Sequence, residues 1–174
     1  MRDADIRPAG PQDISAITRI YADAVAHGTA TFEIEPADEA EMARRQQALL
    51  ASGLPYLVAE QAGVVAGCAY ASRYHARPAY RWTVEDTIYV APAFQRRGLG
   101  RLLMTRLIVD AEARGFRQMI AVIGDSGNAA SIALHAAVGF QLIGTLQSVG
   151  FKHGRWLDTV LMQRPLGCAD ATPP

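Results

Sequence analysis

Apolar positions along the chain keep two rhythms. Ile14, Ile17, Tyr21, Ala24 and Val25 fall three or four apart and predict a helix that His27-Gly28 closes. Asp38 with Glu41 three residues on reads as an Asp-x-x-Glu capping box, opening a second helix through Leu50 that Ser52-Gly53 ends. Residues 29–35 between them break the period and are expected to form an ordered loop. Residues 56–59 and 64–70 read as two short strands joined at Gln61-Ala62-Gly63, a hairpin. Ile6 lies in a candidate edge strand closed by Pro8. Residues 84–90 mix β-branched and aromatic side chains and stop before Pro92, as a strand does. Leu102, Leu103, Leu107 and Ala111 then resume helical spacing, from near Gly100 to Gly115. A fully apolar strand follows at residues 119–123, then a turn and a helix at residues 129–138 that Gly139 ends. Residues 142–151 and 156–162 predict a closing hairpin around Lys152-His153-Gly154. The order is β-α-α-β-β-β-α-β-α-β-β.

Composition narrows the class. With 174 residues, the chain reads as one domain over residues 1–166, with residues 167–174 expected to be a disordered tail. Seventeen Lys and Arg balance seventeen Asp and Glu, so the basic excess of a nucleic-acid binder is missing. No apolar run reaches membrane-spanning length, and Met-Arg-Asp-Ala-Asp is too polar to open a signal peptide. Cys68 and Cys168 make no disulfide framework, and a cytoplasmic protein fits best. His27, His75, His135 and His153 show no metal-ligand spacing, so no metal is expected.

Residues 83–101 carry the most information. A strand, a basic loop with Gly98 and Gly100, and a helix bring free backbone N–H groups and a positive helix end to one point, which suits phosphate. A P-loop would place Lys-Ser/Thr after the second glycine, where Arg101-Leu102 stand. A dinucleotide fingerprint would place a third glycine at Leu103. Gln95-Arg96-Arg97-Gly98-Leu99-Gly100 instead resembles the Gln/Arg-x-x-Gly-x-Gly/Ala signature of the GNAT superfamily of N-acetyltransferases. The order of elements is that of the same superfamily. Residues 83–90 and 121–123, Asn128 through His135, Gly139-Phe140 and residues 149–158 resemble its phosphinothricin and methionine-sulfoximine acetyltransferase branch. The resemblance implies an α/β GNAT fold, a mixed, mostly antiparallel sheet of about seven strands flanked by about four helices. It also implies acetyl-CoA as co-substrate and a homodimer.

Acetyl transfer to an amine requires a base for the amine proton, donors for the oxyanion, and charge or a proton for the leaving thiolate. Glu85 sits in an otherwise β-branched strand, where partial burial would raise its pKa and suit it to proton transfer. The resemblance assigns it the base role; the alternative is a glutamate on a solvated strand face. Asp86 points to the opposite face if pairing is regular, which reads as structural. His135 stands where many of these enzymes carry a tyrosine proposed to protonate the thiolate, and the branch has histidine there. Its alternative is a packed helix histidine bonded to a backbone carbonyl. By the same resemblance, Ile88, Tyr89 and Val90 meet the pantetheine arm with their main chain, and an amide near Val90 serves the oxyanion. The diphosphate sits on amides of Arg96, Arg97, Gly98, Leu99, Gly100 and Arg101, while Asn128 and Ser131 contact pantetheine. Acceptor contacts fall to His75, Ala76 and Arg77 and to Glu85, Asp86 and Thr87, with Phe32 as a pocket wall. An arginine is the natural partner for an amino-acid carboxylate.

These residues together indicate an acetyl-CoA-dependent N-acetyltransferase. It would act on the α-amine of a small amino acid or analogue by direct transfer, with Glu85 as base and His135 as acid. The competing readings are an enzyme for a peptide N-terminus or a polyamine, and a non-catalytic acyl-CoA-binding module.

Overall fold

The computed structural model describes residues 4–173. Seven strands form one sheet in the order β1-β2-β3-β4-β5-β7-β6. They are β1 (Asp5–Pro8), β2 (Tyr56–Gln61), β3 (Val64–Arg73), β4 (Thr83–Val90), β5 (Gln118–Gly124), β6 (Gln141–Lys152) and β7 (Arg155–Pro165). Four helices complete the fold: α1 (Ile14–His27), α2 (Glu39–Ala51), α3 (Leu99–Ala113) and α4 (Ala129–Ala137). Among these strands β4 and β5 pair in parallel and the other neighbours antiparallel, so the expected mixed, mostly antiparallel sheet with four helices is borne out.

The helices divide between the two faces. Ile17, Tyr21 and Val25 of α1 and Met42 of α2 pack on Tyr56, Val58 and Cys68. Leu103, Met104, Leu107 and Ala111 of α3 pack on Leu57, Ala69, Val84, Met119, Ala121 and Val160 from the other face. Strand alternation explains the split, since neighbouring residues such as Leu57 and Val58 point to opposite faces. Ala62 (φ 54°) and Gly63 (φ 76°) both take the left-handed conformations that a tight two-residue hairpin requires. At α2 only half of the expected capping box forms. Asp38 Oδ1 accepts from the Glu41 amide at 2.8 Å, but the Glu41 carboxylate turns to Arg44 and Arg45. A charged partner outcompetes a backbone amide for a carboxylate.

The pairing between β4 and β5 positions the site. It covers only Thr83↔Gln118, Val84↔Met119 and Glu85↔Ile120. Beyond Glu85 the two strands part. On its other edge β4 stays paired with β3 all the way to Gly67↔Val90. Backbone bonds from Tyr74 to Thr83 and from Ala91 to Ala66 mark the odd-numbered residues of β4 as those bonded to β3. Alternation then turns the N–H and C=O groups of Ile88 and Val90 toward the opening. At the chain end, Arg117 donates to the Ala169 carbonyl at 3.4 Å and also touches Cys168 and Thr172.

Candidate active site

Two cavities fill the opening between β4 and β5, and they meet at Ala30, Ile88, Tyr89, Asn128 and Ser131. The larger, about 780 Å³, runs from the N-terminus of α3 along Ile88, Tyr89 and Val90 to α1. Gly98 caps α3 with φ 84°, a left-handed conformation that costs a β-carbon residue free energy and glycine little. Leu102 N bonds back to the Gly98 carbonyl, so the amides of Leu99, Gly100 and Arg101 precede the first bonded turn and face the groove. Arg96 also has positive φ, 58°, which bends the loop around that helix end. Gln95 Nε2 donates to the Val90 carbonyl at 3.1 Å and ties the loop to β4. Asn128 caps α4 through Oδ1 and the Ser131 amide, 3.2 Å apart. A mouth of oriented amides at a helix N-terminus, with Arg96 and Arg101 beside it, fits a diphosphate; the exposed edge of β4 fits an amide-bearing arm.

Of the residues expected to hold the co-substrate, Ile88, Tyr89, Val90, Arg96, Gly98, Leu99, Gly100, Arg101, Asn128 and Ser131 line this groove. Arg97 does not. Its guanidinium lies over the ring of Phe94, a groove-lining residue, at 5.6 Å from the centroid.

The smaller cavity, about 310 Å³, lies past the meeting point. Glu85, Asp86, Thr87, Phe32 and His135 line it. Burial pushes Glu85 up to about 7, with the nearby charge of Asp86 adding to the effect. The carboxylate therefore exchanges its proton near neutrality, as a base for an amine needs. Sequence reasoning missed Tyr21, Tyr70 and Thr31, which also line the cavity. No local motif marks them; they meet only because α1, β3 and the loop after α1 converge here. Burial raises all three phenols of the wall (Tyr21, Tyr70 and Tyr89), Tyr70 to about 12, so each remains a neutral hydroxyl.

His75, Ala76 and Arg77 are exposed and lie outside the lining of this cavity. The His75 ring packs against Tyr74 and Tyr80, at 4.1 and 4.9 Å between centroids, which holds the loop together.

His135 is buried, and both ring nitrogens are engaged. Nδ1 donates to the Ser131 carbonyl at 2.7 Å, and Nε2 lies 2.9 Å from Asp86 Oδ2. A carbonyl only accepts, so Nδ1 carries hydrogen. Burial lowers the pKa of the ring, but the Asp86 bond and charge and the Ser131 carbonyl outweigh it, leaving it raised. The Asp86 bond and the Ser131 carbonyl thus favour the protonated ring over a free imidazole. The expectation of His135 as a direct proton donor meets an obstacle, because neither N–H is spare. Asp86, read from the sequence as structural and also as a substrate contact, pairs through Oδ2 with His135 while lining the cavity, with Oδ1 buried and unbonded.

A strand that leaves its parallel neighbour, oriented amides at a helix mouth and a half-buried carboxylate at the junction define an acyl-CoA-dependent transferase of the N-acetyltransferase class. The chain belongs to the acetyltransferase (GNAT) family, whose model matches residues 17–140. Within it the chain falls in the phosphinothricin and methionine-sulfoximine acetyltransferase branch. It is 53% identical over 169 residues to phosphinothricin N-acetyltransferase of Alcaligenes faecalis, covering 97% of this chain and 86% of that protein. It is 42% identical over 161 residues to the L-methionine sulfoximine/L-methionine sulfone acetyltransferase of Salmonella typhimurium, covering 92% and 94%. A solved GNAT phosphinothricin acetyltransferase from Sinorhizobium meliloti, in complex with acetyl-CoA, superposes with a TM-score of 0.96 at 49% identity. It covers 100% of this chain and 94% of that one.

Proposed function

We propose that this chain transfers the acetyl group of acetyl-CoA directly to the α-amine of a small amino acid or analogue of the phosphinothricin or methionine-sulfoximine type. The carrying observation is that a long groove and a small cavity meet in the β4–β5 opening, with Glu85 on the small side. Acetyl-CoA supplies the activated acyl group. The α3 amides and Arg96 and Arg101 bind its diphosphate, and the main chain of Ile88 and Val90 orients the arm. An amide near Val90 faces the charge that develops on the acyl oxygen. Glu85 accepts the amine proton, directly or through one water. His135 is held in the opening by Asp86 and the Ser131 carbonyl, which fix its ring and favour its protonated form. The Tyr21, Tyr70, Thr31 and Thr87 hydroxyls and the Phe32 ring surround the acceptor.

Cavity size favours a small acceptor over a peptide. A thiol-release assay with acetyl-CoA against amino acids, methionine sulfoximine, methionine sulfone, phosphinothricin, spermidine and an alanine-capped peptide tests this. Turnover of the first four groups is expected; turnover of spermidine or the peptide alone would overturn the acceptor class, and no turnover would favour a binding module.

We infer also a homodimer formed through β6. This edge strand exposes Leu142, Ile143, Leu146, Val149 and Phe151 beside Trp156, an apolar run that water leaves uncompensated. The two free thiols support a cytoplasmic setting.

A further inference from the structure

The β6–β7 hairpin carries Val149-Gly-Phe-Lys-His-Gly-Arg-Trp-Leu-Asp158, yet none of these residues lines either cavity. The hairpin instead grips the loop after α1. Lys152 Nζ donates to the Thr31 carbonyl at 2.9 Å, and His153 Nε2 to the Gly28 carbonyl at 3.2 Å. Arg155 holds Asp125 Oδ2 at 2.5 Å, and the same oxygen accepts from Thr29 Oγ1 at 3.0 Å. Gly150 leaves room for the Phe32 ring: a Cβ there would stand 2.3 Å from Phe32 Cε2. Lys152 is only 5% exposed. Burying an ammonium costs several kcal/mol, offset here by the Thr31 bond and the Glu33 charge nearby.

Thr31 and Phe32 line the small cavity and not the groove. Residues distant from the chemistry thus fix one wall of the acceptor side. We propose that Gly150 and Lys152 are positioning residues that seat Phe32 and Thr31, setting the width of the acceptor cavity and so the size of side chain it admits. The inference rests on reading the small cavity as the acceptor site. Lys152 holds the loop by its main chain, so the position of Thr31 is fixed whatever side chain stands there. Gly150 acts by what it lacks. A methyl group at that point drives the ring toward the cavity, and a pocket feels one methylene as about tenfold or more in kcat/KM.

The test is steady-state kinetics with acetyl-CoA and methionine sulfone on wild type, Gly150→Ala, Phe32→Ala, the Gly150→Ala/Phe32→Ala double variant and Lys152→Met. Gly150→Ala is expected to raise the acceptor KM about tenfold or more, with the acetyl-CoA KM within about twofold. In the Phe32→Ala background the same substitution is expected to have no effect, since the ring it strikes is gone. Lys152→Met is expected to raise the acceptor KM selectively. A parallel rise in both KM values, or a Gly150→Ala effect that persists without Phe32, overturns the proposal. Should Gly150→Ala fail to fold alone, folding restored in the double variant supports the contact and continued failure overturns it. Wild type inactive with every amine would remove the acceptor-site reading itself, and would be seen before any variant is compared.

Discussion

Replacing Glu85 by glutamine separates catalysis from stability in one substitution. Glutamine keeps the shape of the side chain and cannot ionise. An ordinary glutamate titrates near 4.5, and burial together with the Asp86 charge pushes Glu85 to about 7. At about 1.4 kcal/mol per tenfold change in proton affinity, ionising it in the folded state costs up to roughly 3 kcal/mol. Partial solvent contact reduces this to about 2 kcal/mol. The folded chain holds the proton more tightly than the unfolded chain, so this group's penalty is absent below pH 4.5. It grows between 4.5 and 7 and is complete above 7. Measured against its own value at pH 4.5, the glutamine variant should therefore gain about 2 kcal/mol over wild type by pH 8. That corresponds to roughly 4–8 °C in melting temperature for a chain of this length. Turnover should move the other way, falling about a hundredfold or more at neutral pH. In wild type, kcat/KM should decline about tenfold per pH unit below 7, and that limb should be missing in the variant. Thiol release and thermal melts from pH 5 to 8 read both. Unchanged turnover removes Glu85 from the chemistry, and parallel pH profiles of stability refute its raised pKa.

Three further outcomes follow from the geometry. Gly98→Val should weaken CoA binding at least tenfold by calorimetry, because φ 84° is strained for a β-branched residue and its bulk keeps phosphate off the amides; wild-type affinity would place the diphosphate elsewhere. Asp86→Asn should cost about 3–5 kcal/mol, since it removes one charge of the buried His135–Asp86 pair. It should also lower the pKa of His135, visible by NMR titration; an unmoved titration would contradict the pairing. Phe151→Ser with Trp156→Ser should shift the chain from dimer to monomer by analytical ultracentrifugation, because both apolar side chains lie on the β6–β7 edge, 5.2 Å apart; an unshifted dimer would move the interface off β6.

The elements and their order were legible because helical and strand periods, glycines and prolines are local signals, and the glycine loop with Glu85 was legible for the same reason. What was hidden depends on distance in sequence or on choice among partners. Asp86 and His135 are 49 residues apart; alternation placed Asp86 on the face opposite Glu85 but could not say what waited there. Which tyrosines would wall the cavity was hidden too, since Tyr21 and Tyr70 come together only where α1 and β3 meet. Arg77, in the loop after β3, was expected among the acceptor contacts, since an arginine suits a carboxylate. His75 stacks with Tyr74 and Tyr80 in a loop outside the cavity lining, and no local pattern encodes it. Arg97 likewise stacks on the Phe94 ring, a contact between neighbours that spacing does not rank.

The most direct test is a crystal structure with CoA and methionine sulfone bound together. The expected result has the diphosphate on the amides of residues 98–101, the pantetheine arm along Ile88–Val90, and the amine within hydrogen-bond reach of Glu85, directly or through one water. A coenzyme seated outside the β4–β5 opening, or an amine on the far side from Glu85, would contradict it.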